Sequence, residues 1–135
     1  MGNTPFTRGG QGRWRQADGA GCARTHNAAM NTPYQDLATT RAQIEALPGP
    51  TLLEFGANWC GWCQGAQPHI EAALSGHEGL RHLKEEDGKG RRLGRAFGVK
   101  LWPTLVFLRD GQEVARVVRP GSAEDVRQAL AQLQG

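Results

Sequence analysis

Apolar positions along the chain fall into short, separable blocks. Thr51 to Ala57 (TLLEFGA) and Thr104 to Leu108 (TLVFL) are near-continuous apolar runs. Both are too brief and too sharply bounded for helices, so they read as buried strands. Val114 to Val118 alternates like a third strand, and Asp110-Gly111 joins it to TLVFL as a tight hairpin turn. Leu80 to Glu85 is a weaker strand candidate, followed by a polar loop from Glu86 to Arg92. Helical spacing marks Trp59 to Ser75, with Ile70, Ala73 and Leu74 on one face and Pro68 expected to kink it. A short helix at Leu93 to Phe97 ends at Gly98, and Ser122 caps a last helix with a Val126, Ala129, Leu130 and Leu133 stripe. A first helix is predicted from Thr32, with Pro33 in its first turn and Gln35 completing a capping box. Leu37, Ile44 and Leu47 continue its spacing, and Pro48-Gly49-Pro50 stops it. The order implies an α/β domain with a central mixed β-sheet flanked by helices on both faces.

Residues 1–29 contain six glycines, no apolar periodicity and almost no large aliphatic side chains. Such a stretch buries too little surface to offset the entropy of ordering. Residues 1–31 are therefore predicted to be a disordered N-terminal extension, and 32–135 one domain. The net charge of +3 resides in that tail, where Arg8, Arg13, Arg15 and Arg24 face only Asp18; residues 30–135 carry 12 basic and 12 acidic side chains. A balanced domain has no net field to steer a polyanion, which argues against nucleic acid. Lys89, Arg91, Arg92 and Arg95 cluster without interleaved aromatics and read as a solvated face. No run is long and apolar enough to span a membrane, and Met1 to Gly21 lacks the apolar core of a signal peptide. A cytoplasmic monomer is expected of the chain as written, unless a signal has already been removed.

The chain has three cysteines, an odd number, and two of them stand as Cys60-Gly61-Trp62-Cys63. That count does not suit a disulfide framework, so the pair is redox-active or binds metal. The motif lies where strand TLLEFGA gives way to a helix. There the unsatisfied backbone N–H groups and the helix dipole stabilise a thiolate at Cys60. Cys63, nearly one turn on, can close a small disulfide ring, and Gly61 keeps the turn unobstructed. A structural zinc site needs four ligands. Cys22 lies in the tail, His69 follows Pro68 at an unusual spacing, and His26, His77 and His82 read as solvated side chains on polar segments.

Over roughly residues 34–134 the chain resembles the thioredoxin family. Leu53-Glu54-Phe55-Gly56-Ala57-Asn58-Trp59-Cys60-Gly61-Trp62-Cys63 follows the family's strand and active-site motif, and Pro68 matches its helix proline. Phe97-Gly98-Val99, Trp102-Pro103-Thr104, the strand TLVFL and Asp110-Gly111 then repeat, in order, the run around the family's cis-proline.

The resemblance implies a thioredoxin-like fold and a thiol–disulfide oxidoreductase of the protein-disulfide reductase type, without a cofactor beyond its own Cys60–Cys63 couple. Cys60 would attack a substrate disulfide and Cys63 would resolve the mixed disulfide. Glu54 falls where the family keeps a buried acid. Desolvated there, it would have a raised pKa and would accept the Cys63 proton through water. Pro103 would be cis, with the Trp102 backbone pairing an extended substrate, and Trp59, Gly61 and Trp62 would form the rim. Protein or small-molecule disulfides are the implied substrates, with an upstream dithiol reductant. The chain departs from the family pattern at Trp62, at Trp102, and at Gln64, where a lysine often supports the thiolate. Two rivals stay open: a redox-inert thioredoxin-fold binding module, and a metal-binding protein using the Cys-x-x-Cys.

Overall fold

A computed structural model describes residues 32–134. The expected extension over 1–31, including Cys22 and His26, lies outside the described residues. The elements are α1 (Arg41–Glu45), β1 (Pro50–Gly56), α2 (Gly61–Leu74), β2 (Arg81–Glu86), α3 (Arg92–Ala96), β3 (Thr104–Arg109), β4 (Gln112–Val118) and α4 (Ala123–Gln134). The four strands form one mixed sheet in the order β2-β1-β3-β4. β1 pairs parallel with β2 and antiparallel with β3, and β3 pairs antiparallel with β4.

The two continuous apolar runs are the inner strands, which explains their pattern: both faces of each are covered. On one face Leu53, Phe55, Val106 and Leu108 pack with Ile44 of α1, with Leu93 of α3 and with Phe97 at the end of α3. Strand alternation sends Leu52, Glu54, Leu105 and Phe107 to the opposite face, which α2 and α4 cover. There Ile70 and Leu74 of α2 and Val126, Ala129, Leu130 and Leu133 of α4 are all buried. Ser122 Oγ accepts the Asp125 N–H at 3.3 Å, as the cap position predicts. Pro68 lies inside α2.

The first element differs from expectation. No helix begins at Thr32; residues 32–40 are non-helical, and among the described residues the only helix before β1 is α1. Its cap is Thr40, whose side chain accepts the Gln43 N–H at 3.1 Å while Gln43 Oε1 accepts the Thr40 N–H at 2.9 Å. The Thr32 signal loses to longer-range bonding. Gln35 N donates to Lys84 O at 3.2 Å and Gln35 O accepts the Glu86 N–H at 2.8 Å, so the segment lies extended along β2. Asp36 then turns the chain by accepting the Ala38 N–H at 3.0 Å, with Ala38 at φ 54°. Of the basic cluster, Lys89, Arg92 and Arg95 are exposed, whereas Arg91 bridges Asp36 at 2.7 Å and Glu86 at 3.0 Å.

The β3–β4 hairpin turns on Asp110 and Gly111, both at positive φ (52° and 83°). Asp110 ties the turn to the start of β1, its carboxylate accepting the Gly49 N–H at 2.7 Å. A Cβ on Gly111 would lie 1.9 Å from the Glu45 carbonyl oxygen, which is backbone and cannot swing aside. Gly111→Ala is expected to destabilise the domain by about 2 kcal/mol or more. Urea unfolding monitored by circular dichroism measures this, with Gly79→Ala, which has open space at its Cβ, as the near-neutral comparison.

Candidate active site

β1 delivers the chain to the Cys-x-x-Cys, and the first turn of α2 folds around it. Cys60 is the N-cap of α2, in extended conformation, and its Sγ accepts the Cys63 backbone N–H at 3.4 Å. A sulfur therefore does the work that a serine or aspartate oxygen does at an ordinary cap. Both cysteines are free thiols.

The two sulfurs are held unequally. Burial pulls the Cys60 pKa up, but the Cys63 and Trp62 backbone N–H groups, the Cys63 thiol and the Arg119 charge outweigh it, so the value falls. The Cys63 thiol is pushed up to about 12, first by burial and then by the Cys60 sulfur. Arg119 supplies the positive support that Gln64 does not, since the Gln64 amide instead donates to Asn58 O at 2.8 Å. The Arg119 guanidinium lies 4.4 Å from the centre of the Trp62 ring, and its Nε donates to Trp102 O at 2.9 Å.

Trp59 and Trp62 are 74% and 61% exposed and stand on either side of Cys60 in sequence, while Gly61 is exposed between them. The Trp102–Pro103 peptide is cis. Trp102 packs against Tyr34, Ala57, Cys60 and Cys63, and meets Trp59 edge-on at 5.5 Å. Its indole N–H donates to Asp87 at 2.8 Å, and Gly94 leaves the room that Asp87 occupies. A groove of about 500 Å³ opens beside the motif between Trp62, Ala66, His69, Arg119 and Pro120.

Beneath the cysteines, Glu54 is fully buried. It accepts from Tyr34 Oη, from Gln67 Nε2 at 2.9 Å and from His82 Nε2 at 2.8 Å. The expected rise in its pKa does not occur. Burial pulls upward, but the His82 hydrogen bond and charge, the Lys84 charge and the Tyr34 hydrogen bond win, leaving it lowered to about 2. His82, expected on the surface, has a side chain only 3% exposed. It shares a face with Lys84 because they stand two residues apart on β2, and Lys84 is the direct partner of Glu54 across the parallel pair. Tyr34, Gln67, His82, Lys84 and Arg119 are the residues sequence reasoning missed. For His82 and Lys84 a signal existed: charged side chains alternating along a strand that pairs with the one bearing Glu54. Among the described residues no three His, Cys, Asp or Glu side chains gather to hold a metal.

A mixed sheet in this order, with a Cys-x-x-Cys capping a helix beside a cis-proline, defines a thiol–disulfide oxidoreductase built on the thioredoxin fold. The thioredoxin family model matches residues 34–132, and the chain belongs to the thioredoxin family. The structure of thioredoxin 2 from Pseudomonas aeruginosa PAO1, in its reduced form, is 56% identical, with a TM-score of 0.70 over 78% of this chain and 99% of that one. A thioredoxin of Chlamydia muridarum is 37% identical over 70 residues, 52% of this chain and 69% of its own. Protein disulfide-isomerase A3 of Gallus gallus is 34% identical over 65% of this chain, a match that spans 18% of that longer protein. The family acts through its own active-site cysteines, without a cofactor.

Two outcomes follow from the electrostatics. Iodoacetamide should label Cys60 first across pH 6 to 10, with Cys63 unmodified until the pH nears its thiol pKa of about 12; peptide mass spectrometry of quenched samples reads the order. Glu54, lowered from 4.5 to about 2, stabilises the fold fully above pH 4.5, and that contribution fades as pH falls towards 2. Glu54→Ala strands three donors and should cost about 3 kcal/mol at pH 7. The gap from wild type in urea unfolding should narrow steadily below pH 4.

Proposed function

We propose that the chain reduces protein disulfides in a reducing compartment, the cytoplasm, where an upstream dithiol restores its own pair. Cys60 is the attacking thiolate and Cys63 the resolving thiol. The observation that carries this reading is the inequality of the two sulfurs. Cys60, at the helix cap and with its pKa lowered, is the better-ionised nucleophile. Cys63, pushed up to about 12, is a strong nucleophile once deprotonated and a poor leaving group. A resolving thiol of that kind favours closing the Cys60–Cys63 disulfide, which makes the dithiol a reductant rather than an oxidant. The names of its relatives, thioredoxins among them, support the same direction.

The substrate would lie across the rim made by Trp59, Gly61, Trp62, Trp102 and Pro103. An extended segment pairing with the Trp102 carbonyl shares that oxygen with Arg119. A disulfide flanked by an acidic side chain therefore fits better than one flanked by a basic one.

Insulin reduction with dithiothreitol as the electron source tests the proposal. Wild type should accelerate precipitation at least tenfold over dithiothreitol alone, Cys60→Ser should not, and Cys63→Ser should accumulate a mixed disulfide visible on a non-reducing gel. An inactive wild type would overturn the reductase reading.

A further inference from the structure

For Cys63 to attack, its proton must leave a sulfur that is 1% exposed, and the side chains around it define the route. The Tyr34 hydroxyl interacts with that thiol, the two residues share one buried cluster, and both crowd Gly56, where a Cβ would be 2.7 Å from Cys63 Sγ and 2.9 Å from Tyr34 Oη. The same hydroxyl donates to Glu54 Oε2. Tyr34 therefore reaches both the thiol and the carboxylate. The other neighbours are less suited. Gln67 also touches Glu54 and the Cys63 carbonyl, but through an amide N–H that only donates. His82 sits on the far carboxylate oxygen, and Lys84 is turned to Gln67 Oε1 at 3.0 Å. The phenol is fixed in place: Asn58 takes the Tyr34 N–H at 2.8 Å and donates to its carbonyl at 3.1 Å, and the Lys84 ammonium lies 4.7 Å from the ring centre.

We propose that Tyr34 is a catalytic residue that passes the Cys63 proton to Glu54 while the mixed disulfide is resolved. The assignment rests on Cys63 being the resolving thiol. In that step the Cys63 S–H gives its proton to Tyr34 Oη as the Tyr34 O–H gives its own to Glu54 Oε2. The electron pair left on Cys63 forms the bond to Cys60 Sγ. The bond between Cys60 and the substrate sulfur breaks, its pair leaving on the substrate as thiolate. The dithiol is oxidised by two electrons, the substrate is reduced by two, and one proton resides on Glu54. Tyr34 ends neutral, as it began. Ionisation of the phenol is not required, and burial and the Glu54 charge oppose it. Transfer from a thiol at about 12 to a carboxyl at about 2 is uphill at rest. It therefore accompanies sulfur–sulfur bond formation rather than preceding it. Re-reduction of the disulfide runs the path backwards.

Tyr34→Phe keeps the ring and removes only the hydroxyl. With 5,5′-dithiobis(2-nitrobenzoate) in excess, stopped-flow absorbance separates the first thionitrobenzoate released by Cys60 from the second released by Cys63. The variant should slow the second phase about tenfold to hundredfold at pH 7 and the first less than twofold, with the gap closing as pH rises. In a Glu54→Gln background the same change should add less than twofold. An unaltered second phase, equal slowing of both phases, or full additivity with Glu54→Gln would each overturn the relay. Wild type supplies a check independent of folding: its second phase should slow about twofold or more in deuterium oxide, and no isotope effect would also overturn it. A wild type that releases no second thionitrobenzoate would instead sink the resolving role of Cys63.

Discussion

The structure depends on one buried negative charge. A carboxylate with no solvent exposure must be matched by donors, and Glu54 draws them from three places: Tyr34 before α1, Gln67 on α2 and His82 on β2. Those three bonds fasten the N-terminal segment, the helix bearing the cysteines and the edge strand to the centre of β1. The site is thus anchored from below, and its electrostatics share a source with its geometry. Tyr34 and Gln67, which reach Cys63 from beneath, also bond to Glu54.

The sulfurs divide along the same line. Cys60 faces the helix N-terminus and the Arg119 charge, both of which favour a thiolate. Cys63 faces inward to burial and to Cys60 itself, which favour a thiol. Two identical side chains three residues apart acquire opposite chemistry because one caps the helix and the other lies in its first turn. The helix start creates the difference, and the buried carboxylate keeps the inner thiol in contact with a group that can take up its proton.

Much of this was legible in the sequence because it rests on local pattern. The inner strands announced themselves as unbroken apolar runs, the hairpin as Asp110-Gly111, and the active site as a Cys-x-x-Cys at a strand-to-helix junction. What failed was of another kind. Thr32-Pro33-Tyr34-Gln35 carries a sound capping signal, yet Tyr34 is worth more inside, against Cys63 and Glu54, and Gln35 more as a partner of β2. A local preference of about 1 kcal/mol loses to a buried side chain together with two backbone bonds. His82 was misread for the same reason. On its own strand it looks solvated, and only the register between β2 and β1 sets it beside Glu54. The Glu54 pKa falls although burial alone would raise it, because His82, Lys84 and Tyr34, none of them near it in sequence, outweigh desolvation. Long-range pairing was the missing information each time.

Gly56 connects these observations. Its backbone is ordinary strand, so no turn requires a glycine there. The requirement is space, since any side chain at that point would strike both Cys63 Sγ and the Tyr34 ring. At the end of β1 the chain thus gives up a side chain on an inner strand, a position where β-branched or aromatic residues are normally favoured. A vacancy so placed has a physical use only if something else fills it, and what fills it is a phenol whose hydroxyl lies between a sulfur and a carboxylate. A purely apolar filler would have covered Cys63 equally well. It would also have left the thiol sealed from the one buried base within reach, so the polar end of Tyr34 is what makes this packing arrangement also a reaction path.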